Sequence, residues 1–304
     1  MGTLKCIIDT DPGIDDALAI LMALNCVGLD VLGFTTTGGN IPLEMANKNI
    51  LSILDYLDCQ HGVYSGAKIP VAGSFPYATH FHGTSGLSKD LPTPISNVSS
   101  FTAVEFINNA LCRYPQDVTL ICLGPLTNLY RLFQKYPDSI AKIGSLVMMG
   151  GAVNCPGNVT EHAEFNFYCD PVAADWVLKS GAPTTLVDLA ACRQVGMSRK
   201  LAESMSSVTK AGKFAVELIV NWFELDDARY VFEFYDPLAL AIAIDPYLAT
   251  YRAVDIEVNC NVSPLYGQTR IRRCSGSTNL VDIVDSDTFF DMFANGLNIN
   301  VPLI

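Results

Sequence analysis

Short apolar runs alternate with stretches spaced for helices along most of the chain. Leu4 to Ile8, Asp30 to Thr36, Gly62 to Tyr64, Ser145 to Met148 and Thr185 to Val187 read as strands, and Val118 to Cys122 as a buried one. Between and after them, Ala17 to Leu24, Pro42 to Tyr56, Thr102 to Tyr114, Pro171 to Ser180 and Asp236 to Ile244 read as helices, and Lys200 to Leu225 as largely helical. Pro42 stands in the first turn of its helix, where a missing N–H costs nothing. Ala253 to Val284 reads as short strands with a Tyr266-Gly267-Gln268 turn, and Asp287 to Asn295 as a closing helix. Val71 to Ser100 is long and irregular, and Asn154 to Asn166 is a further loop. Loops of the first kind inside a compact domain are usually functional or disordered. The alternation predicts an α/β fold, an open and mostly parallel sheet with helices on both faces, formed by residues 1–304 as one domain. Such a sheet binds its ligands beyond the carboxyl ends of its strands.

That position is taken by Asp9-Thr10-Asp11-Pro12-Gly13-Ile14-Asp15-Asp16, between the first strand and the first helix. Pro12 and Gly13 make the turn, one with φ fixed and the next with φ free. Asp15 and Asp16 fall at the start of the helix, whose dipole favours anions there. Four carboxylates in one short stretch repel one another. They stay ionised only around a cation; otherwise some must take up protons. Oxygen-only ligands point to a hard ion, Ca²⁺ or Mg²⁺. Two other readings compete, a helix cap with solvated acids and a phosphoryl-transfer site of the Asp-x-Asp type. A cap needs only one carboxylate.

Composition narrows the partners. A net charge of −12 argues against nucleic acid, whose phosphates would be repelled. It suits an enzyme of small neutral or cationic substrates. The ten cysteines form no C-x-x-C pair, so reduced thiols and a cytoplasmic setting are expected rather than zinc or a disulfide framework. No signal peptide is expected from the N-terminal residues, and no apolar run is long enough to suggest a transmembrane helix.

Polar residues collect at four further predicted strand ends: Gly39-Asn40, His80-Phe81-His82-Gly83, Glu164-Phe165-Asn166 and Tyr235-Asp236-Pro237. In a parallel sheet these would gather around the aspartates. Taken with Leu126-Thr127-Asn128, Met149-Gly150-Gly151 and Ala163, the ordered set resembles the inosine–uridine-preferring nucleoside hydrolase family, from residue 5 to about 295. The phosphatase alternative lacks its downstream Lys and acidic pair.

The resemblance implies Ca²⁺ held by the carboxylates of Asp11, Asp16 and Asp236 and the backbone carbonyl of Leu123. Asp11 would take the proton of the attacking water. Asp15, Asn40, Asn158, Glu164 and Asn166 would hold the ribose hydroxyls, with Met149 against the sugar and His82 bordering the base pocket. The reaction would cleave the N-glycosidic bond of a ribonucleoside to ribose and free base, in a homodimer or homotetramer. The departure from the family pattern is Tyr235, where the best-known members carry a His thought to protonate the leaving base. Tyr has a reference pKa near 10 against about 6.5 for His. Tyr235 therefore assists by hydrogen bonding, or another acid such as His82, Tyr230 or Tyr266 replaces it, or the protein binds nucleosides or ADP-ribose with little turnover. Phe81, Trp222, Phe223, Tyr230 and Phe234 are candidates to stack on a base.

Overall fold

The computed structural model describes residues 3–302. In chain order its first half comprises β1 (Leu4–Thr10), α1 (Ile14–Asn25), β2 (Leu29–Thr36), α2 (Leu43–Tyr56), β3 (Val63–Ser65), α3 (Thr79–His82), α4 (Ala103–Arg113), β4 (Val118–Cys122), α5 (Thr127–Lys135) and β5 (Ser145–Met149). Then come α6 (Phe165–Cys169), α7 (Pro171–Leu178), β6 (Thr184–Val187), α8 (Leu189–Cys192), β7 (Gly196–Ser198), α9 (Arg199–Ser204), β8 (Ser206–Ser207) and α10 (Lys210–Glu224). The chain ends with β9 (Val231–Glu233), α11 (Tyr235–Ile244), β10 (Ala249–Val258), β11 (Thr269–Val284), α12 (Ser286–Leu297) and β12 (Ile299–Asn300).

Eight strands form the central sheet in the order β10-β11-β6-β5-β4-β1-β2-β3. All its neighbours run parallel except the β10–β11 pair at one edge. Along β1 the side chains alternate between two cores. Cys6 and Ile8 face α1, α10, α11 and α12, whereas Ile7 faces α4, α5 and α7. Helices therefore cover both faces, as the apolar runs predict. α1 is buried on every side from Ile14 to Ala23, which marks it as an inner helix rather than a surface one.

The chain leaves β1 towards β2 and β3, then returns to the other side of β1 to lay down β4, β5 and β6. The order thus reverses between β1 and β4, and a crevice opens beyond their carboxyl ends.

One expectation is corrected and two are refined. Lys200 to Leu225 is largely helical as expected, but in two helices, because Ser206-Ser207 leaves to pair with Ile299-Asn300 and Thr209 caps the second helix by accepting the Gly212 N–H at 3.0 Å. Ala253 to Val284 is one long hairpin with register shifts rather than several short strands. The irregular stretch Val71 to Ser100 contains the one-turn helix α3.

Candidate active site

The turn after β1 is tied by its own acids. Asp16 reaches back from the first turn of α1 and accepts from the Gly13 N–H at 2.9 Å, the Asp11 N–H at 3.2 Å and the Thr10 hydroxyl at 2.5 Å. Asn40, at the end of β2, adds its side-chain amide to Asp16 at 3.1 Å and its backbone N–H to Asp11 Oδ2 at 2.6 Å. Asp11 has no room to turn. A Cβ at Gly39 would lie 2.0 Å from its Oδ2, and one at Gly124 would lie 2.4 Å from its Oδ1. Those two strand-end glycines exist to admit this carboxylate.

Asp9 differs from its three neighbours. Its Oδ1 accepts from Thr35 at 2.5 Å and from the Asn128 amide at 2.7 Å, which staples β1 to β2 and α5. Asp236 replaces it in the cluster, arriving in the first turn of α11. Carboxylate oxygens of Asp15, Asp16 and Asp236 lie within 4.8 Å of one another, all three residues buried. Both helix N-termini face this point and favour negative charge.

Burial and then mutual repulsion raise Asp11 and Asp236 well above the usual carboxylate range and Asp15 to about 8. Asp16 is also raised, by burial first. Among the described residues no Lys or Arg pairs with any of the four; the nearest approach is His82 Nδ1, 3.7 Å from Asp15. Asp11 Oδ1 and Asp15 Oδ1 are buried without a hydrogen-bond partner. Uncompensated buried carboxylates are costly, and an all-oxygen donor set fits a hard divalent cation.

Of the expected ligand set, Asp16 and Asp236 converge directly and Asp15 joins them. Asp11 lies beside them, its backbone N–H on Asp16 at 3.2 Å, but its carboxylate is outside that group of three, and neither Asp11 nor Asp16 lines the cavity above the cluster. The Leu123 carbonyl accepts from Asn166 Nδ2 at 2.7 Å. A carbonyl has two lone pairs, so one is left for a cation.

A cavity of about 330 Å³ opens above the cluster. Asp15, Asn40, Leu123, Met149, Asn158, Glu164, Asn166, His82, Tyr235 and Asp236 all line it, so the expected binding residues meet in one place. Glu164 caps α6 and accepts from the N–H groups of Gly151 (2.8 Å), Asn166 (2.8 Å) and Phe167 (3.0 Å), yet burial still pushes it to about 7. Asn158 accepts the Phe165 N–H at 2.9 Å, closing its loop over the start of α6.

Neither expected acid holds a free proton. His82 is buried, accepting from the Ile14 N–H through Nδ1 at 3.1 Å. Its Nε2–H is thereby directed to Asn40 Oδ1 at 3.0 Å. Burial, with the charge of Arg229 second, lowers it to about 3. Tyr235 donates its hydroxyl hydrogen to Glu233 at 2.6 Å. Burial and the Glu233 charge hold it well above its ordinary value.

Among the aromatic candidates only Phe81 lines the cavity, at 5.4 Å edge-on to Trp222 and 6.5 Å from Tyr235. Trp222 stands behind it, Phe223 and Phe234 belong to the core, and Tyr230 is exposed on the surface. Tyr266 packs against Tyr168 outside the cavity. Sequence reasoning missed Pro76, Tyr77, Ala78 and Val159 on the wall. Tyr77 has φ +49°, a left-handed conformation rare for a non-glycine residue. No residue pattern announces it.

Fold and cavity together define an α/β protein that gathers acids and amides around one small cavity at the carboxyl ends of its parallel strands. The chain belongs to the inosine-uridine preferring nucleoside hydrolase family, whose model matches residues 6–291. It is 36% identical to uridine nucleosidase 1 of Arabidopsis thaliana, over 82% of this chain and 76% of that one. It is 33% identical to the non-specific ribonucleoside hydrolase RihC of Salmonella agona, over 84% of each. The solved purine-preferring ribonucleoside hydrolase from Gardnerella vaginalis shares the fold at a TM-score of 0.89 and 30% identity, covering 96% of this chain and 98% of that one. Among the described residues no helix is long and apolar enough to cross a membrane.

Proposed function

We propose that this protein hydrolyses the N-glycosidic bond of ribonucleosides, releasing ribose and free base. The observation that carries this is the cavity itself: a floor of buried carboxylates and amides meets an aromatic wall in one space. Its volume of about 330 Å³ suits a small ligand, since such pockets run from roughly 300 to 1,000 Å³. Asp15, Asn40, Asn158, Glu164 and Asn166 hold the ribose hydroxyls, Met149 packs on the sugar, and Phe81 with Tyr235 forms the base side. Asp11, Asp16, Asp236 and the Leu123 carbonyl hold Ca²⁺. When bound, the ion lowers the pKa of the water it holds, less strongly than Zn²⁺ does. Asp11, pinned between Gly39 and Gly124, takes the proton from the attacking water. The sugar develops oxocarbenium character as in O-glycoside hydrolysis, and the surrounding carboxylates stabilise that charge. A cytoplasmic setting, which rests on the free cysteines, and a homodimer or homotetramer, which rests on the family resemblance, are part of the same proposal.

Reducing-sugar release from a ribonucleoside panel, with and without chelator, tests this. Uridine is expected to react at least about 30-fold faster than deoxyuridine. A buried carboxylate or amide left without its hydroxyl costs roughly 2 kcal/mol. Equal rates would defeat the assignment of the cavity floor to the diol. The relatives carry names that differ in base, so the preferred base is left to the panel.

A second reading, a nucleoside- or ADP-ribose-binding protein with little turnover, is favoured by one contact. The Tyr235 proton is held by Glu233 and not offered to the cavity. A working leaving-group acid contributes about 10²-fold or more. With its hydrogen so engaged, Tyr235→Phe is expected to change kcat less than fivefold. A loss near a hundredfold would make Tyr235 the donor after all.

A further inference from the structure

Asn158, on a loop, and Tyr235, at the start of α11, line the cavity from segments far apart in sequence, and one side chain outside it approaches both. Arg193, just after α8, donates from Nη1 to the Pro156 carbonyl at 2.8 Å and from Nη2 to the Gly157 carbonyl at 3.4 Å. Its Nε lies 4.0 Å from Glu233 Oε1, and the other Glu233 oxygen accepts the Tyr235 hydroxyl. Neither Arg193 nor Glu233 lines the cavity.

The surroundings make this a strut rather than a chance surface contact. The segment ahead of Arg193 grips the same loop at its root: Asp188 accepts the Val153 N–H at 2.9 Å, and the Leu189 N–H donates to Gly151. On the other side Glu233 pairs with Gly196 in the β7–β9 ladder, and the Phe234 N–H donates to Val195. Arg193 therefore sits at the end of α8, three residues ahead of β7, and Glu233 on β9, the strand paired with β7. The direction of every bond is also fixed. Guanidinium only donates and a carboxylate only accepts, so the tyrosine must turn its hydrogen outward. The fork of arginine hydrogen-bonds two carbonyls while its charge lies 4.0 Å from the Glu233 carboxylate, an arrangement a single ammonium does not reproduce.

We propose that Arg193 is a positioning residue, which sets the spacing between the Asn158 wall and the Tyr235 wall and hence how tightly a nucleoside is held. This rests on the ribonucleoside assignment above. Arg193 touches neither the sugar nor the reacting bond, so its loss acts on binding more than on chemistry.

Arg193→Met is expected to raise KM for uridine about tenfold and to leave kcat within threefold. Arg193→Lys should lie between, with one donor group replacing the fork. Amide hydrogen exchange at Gly157, Asn158 and Val159 should quicken at least tenfold in Arg193→Met and less in Arg193→Lys. Should Arg193→Met not fold, the lysine variant carries both measurements. KM and exchange unchanged from wild type would overturn the proposal, as would an equal fall in kcat and kcat/KM with KM unmoved. If the wild-type protein releases ribose from no ribonucleoside, the assignment of function fails. The exchange rates then still decide whether Arg193 orders the loop.

Discussion

Asp11→Asn is expected to lower kcat on uridine by about 10³-fold, within the range of 10²–10⁴ that a positioned general base contributes. The substitution is nearly isosteric, which matters because Gly39 and Gly124 leave the side chain no other place to go. An amide oxygen in the same position still accepts the Asn40 N–H that Asp11 Oδ2 receives at 2.6 Å. The ability to take a proton and the negative charge are removed, and an amide NH₂ takes the place of Oδ1, which has no hydrogen-bond partner. Loss of charge has a second effect of opposite sign. Asp11 raises the pKa of Asp236 by repulsion, so its neutralisation relieves the buried cluster. The variant is therefore expected to melt no lower than wild type in chelator, while its activity collapses. Steady-state rates and thermal melts on the same preparation check both halves. Activity within tenfold of wild type would remove Asp11 from the chemistry.

The second large effect is the pH dependence of stability without a divalent ion. Burial holds Asp15 at about 8, Glu164 at about 7 and Asp9 at about 6 in the folded protein, all above their ordinary values. A carboxyl raised by folding contributes stability that is complete below its unfolded pKa and is lost as pH rises through its folded one. The window therefore opens near pH 4 and closes near pH 8. Chelated protein is expected to melt roughly 5–10 °C lower at pH 8 than at pH 5, the shift that a few kcal/mol produces in a chain of this size. Calcium should restore the melting temperature, and by more at pH 8, because only ionised carboxylates bind it well. Equal calcium-induced shifts at the two pH values would show that no such cluster is being neutralised.

Much of this was legible from residue order. The apolar runs mark six strands of the main sheet because strands covered on both faces need little polar surface. The cluster of acids, the glycines at strand ends and the amides of Asn40 and Asn166 point at one site because parallel strands must end on one side. What escaped detection is local. Asp9 and Asp11 look alike as letters; that Asp9 turns to Thr35 and Asn128 depends on partners brought in by β2 and α5. The break between α9 and α10 is set by pairing with Ile299-Asn300 at the far end of the chain. Phe81, Trp222, Phe223 and Phe234 carry the same hydrophobic signal, and only packing separates the one on the cavity wall from the ones behind it. Arg193 and Glu233 read as ordinary surface charges until the two walls they connect are seen together.

The division of the acid cluster between the first loop and the eleventh helix has a consequence for biosynthesis. A chain still emerging from the ribosome presents Asp11, Asp15 and Asp16 long before Asp236 exists, so a cation finds no complete cage on the unfinished polypeptide. On the ion site proposed above, cation capture is expected to wait for completed folding, and a truncated or nicked product lacking α11 would be without the Asp236 arm of the cluster.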